Sequence, residues 1–263
     1  MKIPKPRDGW RVFAGEVGVI VLGVLIALVA QQVAEEWQWR QTVARTKTDL
    51  NAQISSAVVQ GAERIAVDPC LSQRLTELAA KVAASDGQWK GDPYFLPGES
   101  ISSYNTHYAI PPAYRAPGRS YPDDVWQQAK SAGVLAHMTP IDIKKYADAF
   151  TDIRKLGERT EFEIGLSSEL SFLSFDVALN SSDRVHALSM ISRLDQLNST
   201  GLFAAAELVG TAKSLGIILS AADEKELFGG LEEQRIFRGQ CVDRAAAAKV
   251  IAPIRAPGAS RVQ

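Results

Sequence analysis

The sequence predicts an all-α fold: an N-terminal transmembrane helix that continues into an elongated helical bundle, with one long loop rich in proline and aromatic residues. Three observations carry this. An apolar run near the N-terminus is long enough to cross a bilayer. Every other strongly patterned segment repeats its apolar residues at threes, fours and sevens, and none alternates as a half-buried strand does. Half of the 12 prolines fall between Asp86 and Pro122, where they break any helix.

From Val17 to Ala30 no side chain is polar. Extending the run from Phe13 to Val33 gives about 21 residues, or about 31 Å of helix, the thickness of a bilayer's hydrocarbon core. Trp10 precedes the run and Trp37 and Trp39 follow it, which places indoles in both headgroup zones. The reading is a cytoplasmic tail over residues 1–11, a transmembrane helix over 12–33 and an exported part from 34 onward. Lys2, Lys5, Arg7 and Arg11 stand before the span against Asp8, and Glu35 and Glu36 follow it. The positive-inside bias then keeps the N-terminus in the cytoplasm of a bacterial inner membrane and puts the rest in the periplasm. A cleaved signal peptide would share the basic start and the apolar run. Against it, no clean A-x-A site follows, and the helical pattern continues past Gln31.

Two features of the span bear on partners. Glu16 is a carboxylate near its cytoplasmic edge, read either as a polar site in the membrane or as a side chain that snorkels to the surface. Ala14 with Gly18, and Gly23 with Ala27, repeat small residues at i, i+4, a face that lets a second helix approach.

The tail and span hold four basic residues against Asp8 and Glu16, so the whole chain's net charge of −1 leaves the exported part at −3. That gives no support for nucleic-acid binding, which needs a basic face. The exported part is long enough for one substantial core. Both cysteines, Cys70 and Cys241, fall on the oxidising side, and an even pair there is expected to form a disulfide.

Past the span, Val43, Leu50, Ile54, Val58, Gly61 and Ile65 keep the helical period, so one helix of about 55 residues is expected up to Val67. Asp68 and Pro69 read as its end, and as the N-cap and first residue of a second helix. The stripe of that second helix, Leu71, Leu75, Leu78 and Val82, would pack antiparallel against the first. The loop over 86–122 holds Trp89, Tyr94, Phe95, Tyr104, Tyr108, Tyr114 and Tyr121, too many aromatics for a disordered linker. They either cover the helical core or, with His107, line a pocket.

Helix resumes at Asp123 and ends near Gly133. Thr139 reads as an N-cap, Pro140 as the first helical residue and Asp142 as a capping-box acid. That helix is expected to reach up to 38 residues, bent at Gly157, with Ile143, Ala147, Phe150 and Ile153, then Phe162, Leu166, Leu170, Leu173 and Val177, facing inward. Ser182 reads as the next cap. Val185, Leu188, Ile191 and Leu194, then Leu202, Ala205, Leu208, Ala212 and Leu215, mark one helix or, if broken at Gly201, two, with Gly216 just past the end. Ser220 with Asp223 suggests a capping box for a last helical region, shifted near Gly229-Gly230. Residues 34–252 are thus the helical domain and 253–263 a disordered tail.

No nucleotide-binding, nucleophile-elbow or zinc-protease motif is present. His107, His137 and His186 lack ligand spacing, and Asp223-Glu224 and Glu232-Glu233 read as solvated helix faces. The sequence therefore names no catalytic residue, metal or cofactor. Its pocket candidates are Trp89, Tyr94, Phe95, Tyr104, His107 and Tyr108.

The stretch GEVGVIVLGVLIALVAQQVAEEW resembles the span of a group of uncharacterised bacterial single-span proteins, which reads as GE, an apolar run with VxxGxLIAL, then a polar stretch with Trp. VWQQAKSAGVLAHMTPIDIKKYADAF is similar to that group's downstream signature, with Trp126, Ser131, Gly133, Leu135, Met138, Ile143 and Phe150 in the matching places. The resemblance implies architecture, a membrane anchor with an exported helical domain, and supplies no activity or catalytic residue to carry over. The functional expectation is a single-pass protein that presents its periplasmic helices to another envelope protein or to itself. The alternative is a ligand-binding or sensor module acting through a membrane partner.

Overall fold

The computed structural model describes residues 10–91 and 114–255, with residues 10–14 and 237 by backbone alone. Tyr94, Phe95, Tyr104, His107 and Tyr108, and the side chain of Ala14, lie outside the described residues.

The described chain is nearly all helical. α1 runs unbroken from Trp10 to Ala84, 75 residues and about 110 Å. After β1 (Gln88–Trp89) come α2 (Asp124–Ser131), a 3-10 turn (Val134–His137), α3 (Pro140–Glu169), a second 3-10 turn (Leu170–Ser174), β2 (Val177–Ala178), α4 (Ser181–Ser214), α5 (Ala221–Arg238) and α6 (Arg244–Ile251). α1 packs most extensively on α4, and α3 lies along α4; α5 and α6 also pack on α1.

α1 has two characters. Every side chain from Gly15 to Gln38 is exposed, including Val19, Leu22, Leu25 and Val29. This stretch is long and apolar enough to cross a membrane. From Leu50 onward the same helix is the centre of the fold: Leu50, Ile54, Val58, Ala62 and Val67 are fully buried.

The two helices expected around Pro69 are one. Proline removes an intrahelical hydrogen bond and in a helix interior costs about 3 kcal/mol. Pro69 itself is exposed, and contacts from the C-terminal segment hold the helix on either side of it. The Ala66 carbonyl accepts the Asp243 N–H at 2.8 Å, and Cys70 is bonded to Cys241. The stripe Leu71, Leu75, Leu78 and Val82 is buried as the period predicts, but no fold-back occurs. Leu75, Leu78 and Val82 pack with residues of α3, α4 and the turn between them.

Two of the expected caps hold. Thr139 Oγ1 accepts the Asp142 N–H at 3.1 Å, with Pro140 first in α3, and Ser220 and Asp223 form a reciprocal capping box. At α4 the cap is Asn180, not Ser182: its side chain takes the Asp183 N–H while Asp183 takes that of Asn180. α4 continues through Gly201, and Gly216 follows it at φ 73°. α5 likewise runs through Gly229-Gly230. α3 ends after 30 residues, shorter than its apolar stripe.

Three further expectations change. A two-residue antiparallel ladder pairs Gln88 with Ala178 and Trp89 with Val177, too short to alternate visibly in sequence. The tail expected from 253 is packed as far as Arg255: Ile254 is buried and its carbonyl accepts the Leu219 N–H at 2.8 Å. Phe162 and Val185, placed on inward stripes, are exposed, and Glu163 is buried in place of Phe162.

Candidate functional site

The buried apolar residues form two clusters. The first holds α1 up to Leu71, α3 up to Leu156 and α4 from Ala204, together with α5 and α6. The second holds the end of α1, Trp89, Tyr114, the end of α3 and α4 up to Leu194. On α3 and α4 the gap between them is filled by polar residues. Arg64 of α1, 2% exposed, donates to the Glu163 carboxylate, 4% exposed. Asn198 Nδ2 donates to Asp68 at 2.7 Å, and Ser72 Oγ to Asp195 at 3.1 Å. Burial pushes the Glu163 carboxyl up, and the Arg64 charge opposes that. Burial also raises Asp68, against the hydrogen bond from Asn198. A charged pair of this kind is held because each partner is the other's solvation.

One residue earlier on α1, Glu63 faces a second neighbourhood. Its carboxylate is 3% exposed as a residue and receives Arg119 Nε at 2.7 Å and Nη2 at 2.8 Å, a bidentate pair, plus Gln234 Nε2 at 3.0 Å. Those bonds hold the Arg119 guanidinium above its ordinary range. Gln234 Oε1 in turn accepts Arg238 Nε at 3.0 Å, and Arg238 Nη2 reaches the Arg115 carbonyl at 2.7 Å. Burial lowers Arg238 to about 10, with Arg115 and Arg74 adding to the fall and Glu63 opposing it. This network stitches the end of the aromatic loop to α1 and α5.

A cleft of about 190 Å³ opens beside Glu63, lined by Val59, Gln60, Arg119, Glu226, Leu227, Gly230 and Glu233. Its rim is acidic and its volume is below the roughly 300 Å³ at which small-molecule sites begin. Glu63 itself already accepts three hydrogen bonds, from Arg119 and Gln234. Among the described residues, no three His, Cys, Asp or Glu side chains converge as metal ligands.

The structure places the sequence-derived candidates as follows. Cys70 and Cys241 are joined, with Cα atoms 5.3 Å apart, within disulfide range. Trp89, the described member of the pocket candidates, does not line the cleft. It is 6% exposed in the second apolar cluster, and its Nε1 donates to the Leu173 carbonyl at 2.7 Å. Gly18, Gly23 and Ala27 lie on the exposed stretch of α1, as does Glu16, with nothing packed on them. Glu224, read as solvated, is buried and bound bidentately by Arg255.

Sequence reasoning missed Glu63, Arg64, Glu163, Arg119 and Arg238. Glu63, Arg64, Arg238 and Glu163 sit within helical segments like many solvated charges, and no local pattern marks them. Gly201 is the one usable signal, a glycine inside an otherwise good helix, facing the Arg64 guanidinium. Comparison with family models, with curated proteins and with solved structures finds no match for this chain.

Proposed function

We propose that this chain is a single-span inner-membrane protein whose helical domain stands in the periplasm and serves as a docking scaffold for another envelope protein or a second copy. The observation that supports it is the double role of α1. The apolar, uncovered stretch from Gly15 to Val33 and the buried centre of the domain, Leu50 to Val82, belong to one helix. A domain built this way is held at a set distance and angle from the membrane, which suits positioning more than diffusion. The paired state of the buried charges and the small volume of the cleft favour this reading over a ligand sensor.

The test is crosslinking in the intact cell, with one photoreactive residue at position 22 in the apolar stretch and others on the exposed faces of α3 and α4, and identification of what each captures. Reproducible capture of one envelope protein, or of a second copy, from α3 or α4 supports the scaffold. Capture from position 22 alone, unchanged when residues beyond 40 are deleted, sinks it.

A further inference from the structure

We propose that Asp68, Ser72, Asp195 and Asn198, facing one another across the seam between α1 and α4, bind one calcium ion. The ion braces the two helices where the two apolar clusters adjoin.

Helical periods build the site. Asp68 and Ser72 stand at i, i+4 on α1, and Asp195 and Asn198 at i, i+3 on α4, so each pair shares one face of its helix. The helices run antiparallel here, and contacts cross the seam in order. Asn198 Nδ2 donates to Asp68 Oδ1 at 2.7 Å, and one turn further along Ser72 Oγ donates to Asp195 Oδ1 at 3.1 Å. Four oxygen-bearing side chains are thus gathered within about one helical turn.

The seam carries two negative charges that the protein leaves unbalanced. The partners of the two carboxylates are a neutral amide and a neutral hydroxyl, and among the described residues neither carboxylate forms an ion pair. Arg64, one turn before Asp68, donates to Glu163 instead. Burial and the charge of Asp195 push the Asp68 carboxyl up, against the Asn198 hydrogen bond and, least of all, the Arg64 charge. A divalent cation between Asp68 and Asp195 removes this repulsion.

Asn198 points to a ligand independently. It is 3% exposed, yet its Oδ1 has no hydrogen-bond partner among the described residues. A buried carbonyl oxygen without a donor is costly, and coordination of a cation satisfies it. The amide already enters the seam against Asp68. Turned over, it puts Oδ1 in the place of Nδ2, close enough to Asp68 Oδ1 for both oxygens to bind one ion.

The donors choose the ion. Two carboxylates, an amide carbonyl and a hydroxyl are hard oxygen ligands, with no histidine or thiol among them. Calcium accepts about 6–8 such oxygens in irregular geometry, whereas magnesium demands a near-ideal octahedron. Asp68, Ser72 and Asp195 are only partly buried, which leaves room for water to complete the shell.

The experiment uses the full chain in a non-ionic detergent, stripped with EGTA and dialysed. It is then titrated with calcium chloride or magnesium chloride by calorimetry, with thermal unfolding as a second readout. The proposal expects one calcium ion per chain with a Kd of about 1 mM or tighter. It also expects an unfolding temperature that rises with calcium, since the ion binds the folded state. Asp68→Asn and Asp195→Asn are isosteric and remove a like-charge repulsion, so both are expected to fold without calcium. Each is expected to weaken calcium binding at least about tenfold, because the charge of the ligand set falls. Glu226→Gln with Glu233→Gln, which neutralises the rim of the cleft beside Glu63, is expected to leave binding unchanged. Absence of saturable binding up to about 10 mM calcium, weaker than the loosest protein sites, overturns the proposal. Binding that survives both aspartate substitutions, binding lost with the cleft pair, or preference for magnesium overturns it as well.

Discussion

Gly201 of α4 lies against the guanidinium of Arg64: a Cβ built at position 201 would stand 2.7 Å from Arg64 Cζ. The absence of a side chain there is what lets a buried arginine pass between α1, α3 and α4 to reach Glu163. In an open helical position, replacing glycine by alanine gains up to about 1 kcal/mol. Gly210, on the same helix with nothing within 4 Å of its would-be Cβ, is such a position. Gly210→Ala is therefore expected to raise the unfolding temperature. Gly201→Ala must displace Arg64 from its partner, an overpacking cost of about 1–3 kcal/mol, and is expected to lower it. Thermal unfolding of the two variants in the same detergent decides this; a Gly201→Ala protein as stable as Gly210→Ala would remove Arg64 from its assigned place.

The Cys70–Cys241 bond closes a loop with a sequence separation of 171. In the chain-entropy account a loop of that size contributes up to about 5 kcal/mol. Reduction, or Cys70→Ser with Cys241→Ser, is expected to lower the denaturant midpoint markedly. It is also expected to free α6 and the segment at Asp243 first, since the bond sits where Asp243 closes over Ala66. Hydrogen exchange of residues 239–251 before and after reduction checks the second part; uniform protection in both states would contradict it.

Arg119 ties the end of the aromatic loop to Glu63. Arg119→Met leaves the nearly buried Glu63 carboxylate with Gln234 alone. Arg119 keeps 38% of its side chain in solvent, so the expected loss is about 1–3 kcal/mol rather than the 3–5 of a fully buried pair. Glu63→Gln in the Arg119→Met background is expected to recover part of it, because the uncompensated charge is gone. Urea unfolding of the two single variants and the double closes the cycle. Strict additivity would show that the two side chains do not interact.

Tyr121, beside Gly157 of α3, has its phenol pushed up to about 12 by burial, with the charge of Glu63 adding and that of Arg64 opposing. Unfolded tyrosine loses its proton near 10. Between pH 10 and 12 the unfolded chain releases a proton that the folded chain keeps, so this group's stabilising contribution is complete below 10 and is lost as pH rises toward 12. Absorbance at 295 nm should reveal a late-titrating tyrosine that is missing in Tyr121→Phe and that moves to about 10 in urea. A difference titration centred at 10 in the folded protein would refute the assignment.

Local signals carried most of the helical pattern. Thr139, Ser220 and Gly216 were found because caps are decided by two or three adjacent residues. Pro69 was misread because its usual cost is local, whereas the compensation, Asp243 on Ala66 and Cys241 on Cys70, comes from more than 170 residues away. Phe162 and Glu163 were misassigned for a related reason. A stripe drawn from apolar residues has no way to know that Arg64 waits on the facing helix to neutralise a carboxylate.

By itself the sequence determined the nearly all-α fold, the apolar N-terminal helix that is long enough to span a bilayer and the presence of an even cysteine pair. These follow from composition and from periods of a few residues, which act before any long-range contact forms. The tertiary structure decided that the apolar stretch and the core belong to one 75-residue helix, and that the two cysteines meet. It also decided which charges are buried. Charge burial depends on a partner of opposite sign at a distant position in the chain, and only packing brings Arg64 to Glu163 and Arg119 to Glu63.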